Sequence, residues 1–168
     1  MLNISRALKN PGQTYPIRVE LPGETLEIMG DEVVLSEVVF EGVFLGAGEE
    51  INVNGNISAA VDTHCANCLA PVKAVVRAQL DEVFVKDGDG EDAYPLLGYE
   101  IDLEPVIREA VLLELPFRFL CSEDCKGLCP VCGKNRNKEL CTCLREGKVA
   151  NPFSALNSLL TERNNEEV

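Results

Sequence analysis

Hydrophobic and polar residues alternate with a period of two over the middle of the chain. Ile51, Val53, Ile57, Ala59 and Val61 share one parity with Gly55, while Asn52, Asn54, Asn56, Ser58 and Asp62 occupy the other. This alternation predicts a strand with one buried and one wet face. It runs directly into His64 and Cys65. Beyond Cys68 a second alternation sets Val72, Ala74, Val76, Ala78 and Leu80 against Lys73, Arg77, Gln79 and Asp81. Together the two segments predict an antiparallel hairpin with Cys65 and Cys68 at its tip. Residues 33–45 are rich in β-branched and aromatic side chains, which predicts one long strand or two short ones. Further strands are expected at 16–21 and, briefly, at Leu2–Ser5, with a turn at Asn10-Pro11-Gly12 between them.

The period changes once, near residue 102. Leu103, Val106, Ile107, Ala110 and Val111 recur at helical spacing. Asp102 can cap this helix, Pro105 lies in the tolerant first turn, Glu104 and Arg108 form an i,i+4 pair, and Pro116 ends it. The prediction is a helix over 102–115, followed by an extended run through Phe117-Arg118-Phe119 into Cys121. A shorter helix is expected from Asn151-Pro152, with Phe153, Leu156, Leu159 and Leu160 on one side, before a frayed tail at 164–168. Residues 86–98 form an acidic connection. Asp87, Asp89 and Glu91 suggest a calcium loop, but Asp92 and Gly98 stand where such a loop needs Gly and Glu.

A chain of 168 residues with 46% apolar composition can bury a core of ordinary domain size. No apolar run approaches the roughly 18 residues of a membrane span, and MLNISRALKN lacks the apolar stretch of a signal peptide, so a cytoplasmic protein is expected. The formal charge of −13 is unevenly spread. Residues 118–148 hold seven Lys or Arg against four acids, a net of +3, which leaves −16 for the rest. So acidic a body repels free nucleic acid at long range and suits a basic protein partner or plain solubility. The one basic island is Lys134, Arg136 and Lys138. It reads as a solvated loop or an RNA contact, although no aromatic residue stands beside it for base stacking.

Cysteine chemistry changes this picture most. Six of eight cysteines fall between Leu120 and Cys143. Cys129, Cys132, Cys141 and Cys143 form a local set, a C-P-V-C-G knuckle followed by C-T-C, whose four thiols suit a tetrahedral cation at about 2.3 Å. Gly133 fits the sharp turn after the second thiol, where positive φ is needed. Cys121 and Cys125 then remain, with Cys65 and Cys68 far upstream. The two pairs make a second four-thiolate site if the fold unites them. His64, the single histidine, is an alternative ligand, and a partition that places Cys121 or Cys125 in the distal site is also compatible with the spacing. Eight cysteines in 168 residues lie below the density of disulfide-stapled secreted domains. A thioredoxin-like use of Cys65 and Cys68 would need a helix after the pair, where strand-like sequence stands instead.

The C-A-N-C-L hairpin, the segment IDLEPVIREAVLLELP, then LCSEDCKGLCPVCGKNRN with C-T-C, and a terminal N-P-F-S-A-L segment resemble, in this order, the YceD family of large ribosomal RNA accumulation proteins. The resemblance covers residues 35–163, with Arg136 where Leu is usual and Asn151 where Asp is usual. It implies a non-enzymatic bacterial or plastid factor for accumulation of large-subunit ribosomal RNA, often encoded beside a small zinc-ribbon ribosomal protein. Some members keep the hairpin pair and a counterpart of Cys121 and Cys125 while lacking the distal knuckle, which supports uniting those two pairs.

The combined expectation is an α+β fold with a mainly antiparallel sheet able to close into a barrel, one main helix and a Cys-rich zinc loop. Its parts are a β domain over 1–119, a zinc-binding segment over 120–148 packed on the same domain, and a short helix with tail over 149–168. Two structural zinc ions are expected, with ribosomal RNA or a basic large-subunit ribosomal protein as partner, no membrane and no small-molecule substrate. The competing reading is an enzyme, either a thiol-disulfide oxidoreductase or a zinc enzyme built on Cys65, Cys68 and His64. Against it stands the lack of a nucleophile with a base, a phosphate loop or an open metal position.

Overall fold

The computed structural model describes residues 1–28, 30–86 and 93–143. The helix expected from Asn151, the tail, the acidic residues 87–92 and the end of the metal segment at 144–148 lie outside the described residues. The chain divides into two compact units, one formed by residues 1–65 and 70–121, the other by 66–69 and 122 onward.

The first unit is mostly sheet. Its elements are β1 (Leu2–Asn3), α1 (Ser5–Lys9), β2 (Thr14–Leu21), β3 (Glu24–Ile28), β4 (Asp31–Ala47), β5 (Glu50–His64), β6 (Pro71–Val85), β7 (Tyr94–Pro95), β8 (Glu100–Ile101) and α2 (Glu104–Glu114). The main sheet runs β2-β4-β5-β6-β7, with β3 also paired to β4. Every long pairing is antiparallel, and the β5–β6 ladder extends from Ile51 opposite Phe84 to His64 opposite Pro71. The hairpin expected from the alternating pattern is therefore present. Its inward residues Ile51, Val53, Ile57, Ala59 and Val61 are buried, and Asn54, Asn56 and Ser58 face outward.

The stretch expected as one or two strands is the single strand β4, with a register shift between Leu35 and Glu37. Two further elements escaped the pattern. Strand β3 is only five residues long, and α1 occupies Ser5–Lys9, where a brief strand gives way to a helical turn. That turn buries Ile4 and Ala7 completely. Gly42 and Gly55 lie opposite each other on β4 and β5 with the Phe40 ring over them. A Cβ on Gly42 would come within 2.2 Å of the Asn54 carbonyl oxygen, so only glycine permits the close approach of strands there.

The barrel expectation is corrected. Among the described residues the sheet is open, with β2 at one edge and β7 at the other. Only four strands are long, too few to wrap into a cylinder, and α2 covers the core face instead by packing on β5 and β6. It does so with Val106, Ile107 and Val111, all buried, at about 1.5–3 kcal/mol for each aliphatic side chain removed from water. The capping expectation for Asp102 is corrected: the N-cap is Leu103, which makes no side-chain cap, and Asp102 stands one residue earlier, where its carboxylate accepts a hydrogen bond from the Glu104 amide at 3.2 Å. Arg108 bridges Glu104, at 3.0 Å, and Glu24 of β3.

Among its described residues the second unit buries few apolar side chains. It is held by backbone hydrogen bonds from Leu128 to Asn67 (3.0 Å), Cys129 to Lys134 (2.8 Å), Gly133 to Cys129 (2.8 Å) and Arg136 to Gly127 (3.0 Å).

Candidate metal centres

The hairpin β5–β6 positions the first group of thiols. The Cys65 amide donates to the Ala70 carbonyl at 2.8 Å and closes the turn. Leu69 takes a left-handed conformation with φ 59°. Cys65 and Cys68 are thereby both buried. Cys121 follows α2 through a stretch that bends at Phe117 and Arg118, where an extended run was expected, and the Cys125 amide donates to the Ser122 carbonyl at 3.1 Å, turning the chain between the second pair. The sulfurs of Cys65, Cys68, Cys121 and Cys125 all lie within 4.8 Å of one another.

The second group forms on the 129–143 loop. Gly133 follows the knuckle with φ 70°, the left-handed geometry that Leu69 adopts after the first knuckle. Cys129, Cys132, Cys141 and Cys143 also converge within 4.8 Å. Cys141 Sγ lies 3.3 Å from Cys129 Sγ and 3.5 Å from Cys132 Sγ. These separations far exceed the roughly 2.05 Å of a disulfide and approach the roughly 3.8 Å edge of a tetrahedron with 2.3 Å metal bonds.

Electrostatics sets the four distal thiols against one another. Hydrogen bonds from the backbone of Cys132 and Val131 hold the Cys129 thiol down at about 6. At Cys141 the Cys143 amide pulls downward, but the neighbouring sulfurs of Cys129, Cys143 and Cys132 outweigh it and push the thiol up to about 12. Cys143 is also raised: the Cys141 side chain lowers it, and Cys132 and Cys129 oppose that more strongly. One thiolate forms readily and then resists ionisation of its neighbours, since like charges at van der Waals distance exclude one another. A divalent cation at the centre removes that conflict. Both groups of four cysteines could therefore hold metal ions, and sulfur donors select soft or borderline metals.

The remaining candidate residues are placed differently. His64 is exposed, pairs with Pro71 in the ladder and belongs to neither thiol group. Lys134 is paired with Glu139 at 3.1 Å. Arg136 is half-buried and donates from its guanidinium to the Lys126 carbonyl at 3.2 Å, while Lys138 is exposed. The basic island is thus partly consumed within its own loop. Sequence reasoning missed Asn137, whose side-chain amide donates to Cys125 Sγ at 3.3 Å and whose Oδ1 accepts from the Lys126 amide at 2.8 Å. Nothing in the local sequence distinguishes it from Asn135.

Sequence comparison relates the chain to known proteins. An uncharacterised protein of Mycobacterium bovis is 39% identical over 92 residues, which span 51% of this chain and 44% of that protein. An uncharacterised protein of Mycobacterium leprae is 37% identical over 136 residues, 74% of this chain and 62% of the relative. The chain thus spans under two thirds of these relatives' length. In Arabidopsis thaliana the chloroplastic large ribosomal RNA subunit accumulation protein YCED homolog 1 is 47% identical over 49 residues, 29% of this chain and 15% of that protein. No solved structure matches. The model of the large ribosomal RNA subunit accumulation protein YceD matches residues 53–160, a stretch that contains all eight cysteines, and the chain belongs to this family.

Proposed function

We propose that the protein is a non-enzymatic factor for accumulation of large-subunit ribosomal RNA, and that its two cysteine groups hold structural zinc. The observation that carries the reading is the pair of four-thiol groups within a chain of the YceD family. Zinc fits sulfur donors at tetrahedral spacing better than harder ions do, and a shell closed by four thiolates leaves no position for substrate. Cys65, Cys68, Cys121 and Cys125 form one site, and Cys129, Cys132, Cys141 and Cys143 the other. The metal supplies folding free energy and no chemistry on a substrate.

The working compartment is the cytoplasm, in keeping with reduced thiols. Among the described residues no helix is long and apolar enough to cross a membrane. The partner belongs to the large ribosomal subunit. A net charge of −16 outside 118–148 favours one of its basic proteins over bare RNA, and internal engagement of Lys134 and Arg136 leaves Lys138 as the most available of these three cations for a secondary phosphate contact.

Two measurements test the reading together. Metal analysis of the purified chain should return two zinc ions with no rapidly alkylated thiol. Depletion of the protein in its host should lower large-subunit ribosomal RNA relative to small-subunit RNA. Reactive thiols with redox turnover would support the oxidoreductase instead, and unchanged RNA ratios would remove the assembly role.

A further inference from the structure

The Asn137 side chain belongs to the loop between two distal ligands, Cys132 and Cys141, yet its hydrogen bond goes to a sulfur of the other group. Its Nδ2 lies 3.3 Å from Cys125 Sγ. The amide orientation is set by three contacts. Oδ1 accepts from the Lys126 amide at 2.8 Å, the Asn137 amide donates to Asn135 Oδ1 at 2.9 Å, and Nδ2 also donates to that oxygen at 3.0 Å. Lys126 directly follows Cys125, so one side chain grips both the ligand sulfur and the backbone beside it.

A metal shell of four thiolates carries excess negative charge on sulfur. N–H donors reduce it, fix the rotamer of the ligand and are a known determinant of metal affinity. We propose that Asn137 is a positioning residue shared by the two cysteine groups, and that it makes metal capture at the Cys65–Cys125 group depend on an ordered, metal-loaded distal loop. This rests on the assignment of both groups as metal sites. The coupling is a binding free energy, so it is reciprocal: metal at the proximal group must also favour the distal one.

Cobalt(II) titration of the full chain against a competing chelator tests this, because sulfur-to-cobalt charge transfer reports each four-thiolate shell. Cys68→Ser and Cys132→Ser identify which phase belongs to which group. Asn137→Ala should weaken the proximal phase about tenfold, the low end of the range for outer-shell ligand partners because Asn137 is exposed, and leave the distal phase in place. Asn137→Asp keeps the acceptor for the Lys126 amide but removes the N–H donor and adds a charge. It should weaken the proximal phase at least as much as Ala. Cys132→Ser should weaken that phase by a similar factor, and adding Asn137→Ala to it should do little more. Wild-type proximal affinity in Asn137→Asp, or full additivity in the double variant, would overturn the proposal while leaving both metal sites standing. A wild-type chain without two four-thiolate cobalt spectra would instead overturn the metal assignment itself.

Discussion

The two cysteine groups use the same four donors in opposite ways. The distal group closes within fifteen residues, Cys129 to Cys143, around a short polar loop. The proximal group joins a hairpin tip to residues more than fifty positions later, with the β6 strand and the α2 helix between them. Cys65 and Cys68 are buried, while in the distal group only Cys129 is. Closing a long segment of chain removes more freedom from the unfolded state than closing a short one. Equal chemistry should therefore have unequal consequences: the proximal metal acts on the whole fold directly, the distal one on its own loop and on the rest only through its coupling to the proximal group.

The largest effect expected is that of Cys68→Ser. It should lower the stability of the zinc-loaded protein by roughly 3–5 kcal/mol, a substantial part of the binding free energy of a structural zinc. Urea denaturation followed by sheet circular dichroism measures it. Cys132→Ser should remove one metal of two, yet cost the sheet only about 1–2 kcal/mol, because the loop buries little apolar surface and a tenfold loss at the proximal group is worth about 1.4 kcal/mol. Hydrogen exchange should then keep the β4, β5 and β6 amides protected while residues 129–143 exchange freely. Equal losses in the two variants would break the comparison.

The smallest effect compares the two knuckles directly. Gly133 carries φ 70° without cost, whereas Leu69 carries φ 59° with an exposed side chain. Left-handed backbone costs a non-glycine residue roughly 1–2 kcal/mol, and part of this returns as unfolded-state entropy when glycine is introduced. Leu69→Gly should therefore raise stability by about 0.5–1 kcal/mol, read as a shift in the urea midpoint, and Gly133→Ala should weaken distal cobalt binding. A destabilised Leu69→Gly would show that the leucine side chain packs more usefully than its exposure indicates.

Period-two patterning was sufficient for the β5–β6 hairpin, because a half-buried strand writes its two faces into alternate residues. The α2 helix was equally legible through its apolar stripe and Pro116, although its cap position fell to Leu103 and not to Asp102. Strand β3 and helix α1 were not, since five residues hold too little of any period and their formation depends on pairing with β4 and on burial of Ile4 and Ala7. The openness of the sheet also escaped the pattern, because inward and outward alternation is the same in a barrel and in an open sheet.

For the metal centres the sequence alone proposed the distal thiol set from the close spacing of its members, but a partition with Cys121 or Cys125 fitted that spacing too, and the convergence of the sulfurs in space decided between them. It also determined the glycine at 133, where backbone conformation selects the residue. Only the tertiary structure decided that Cys65 and Cys68 meet Cys121 and Cys125 with His64 outside the group, and that Asn137 reaches Cys125. The reason is physical: contacts between distant segments depend on strand register, on the exit of α2 and on loop closure, and none of these is encoded in the spacing of the residues that finally touch.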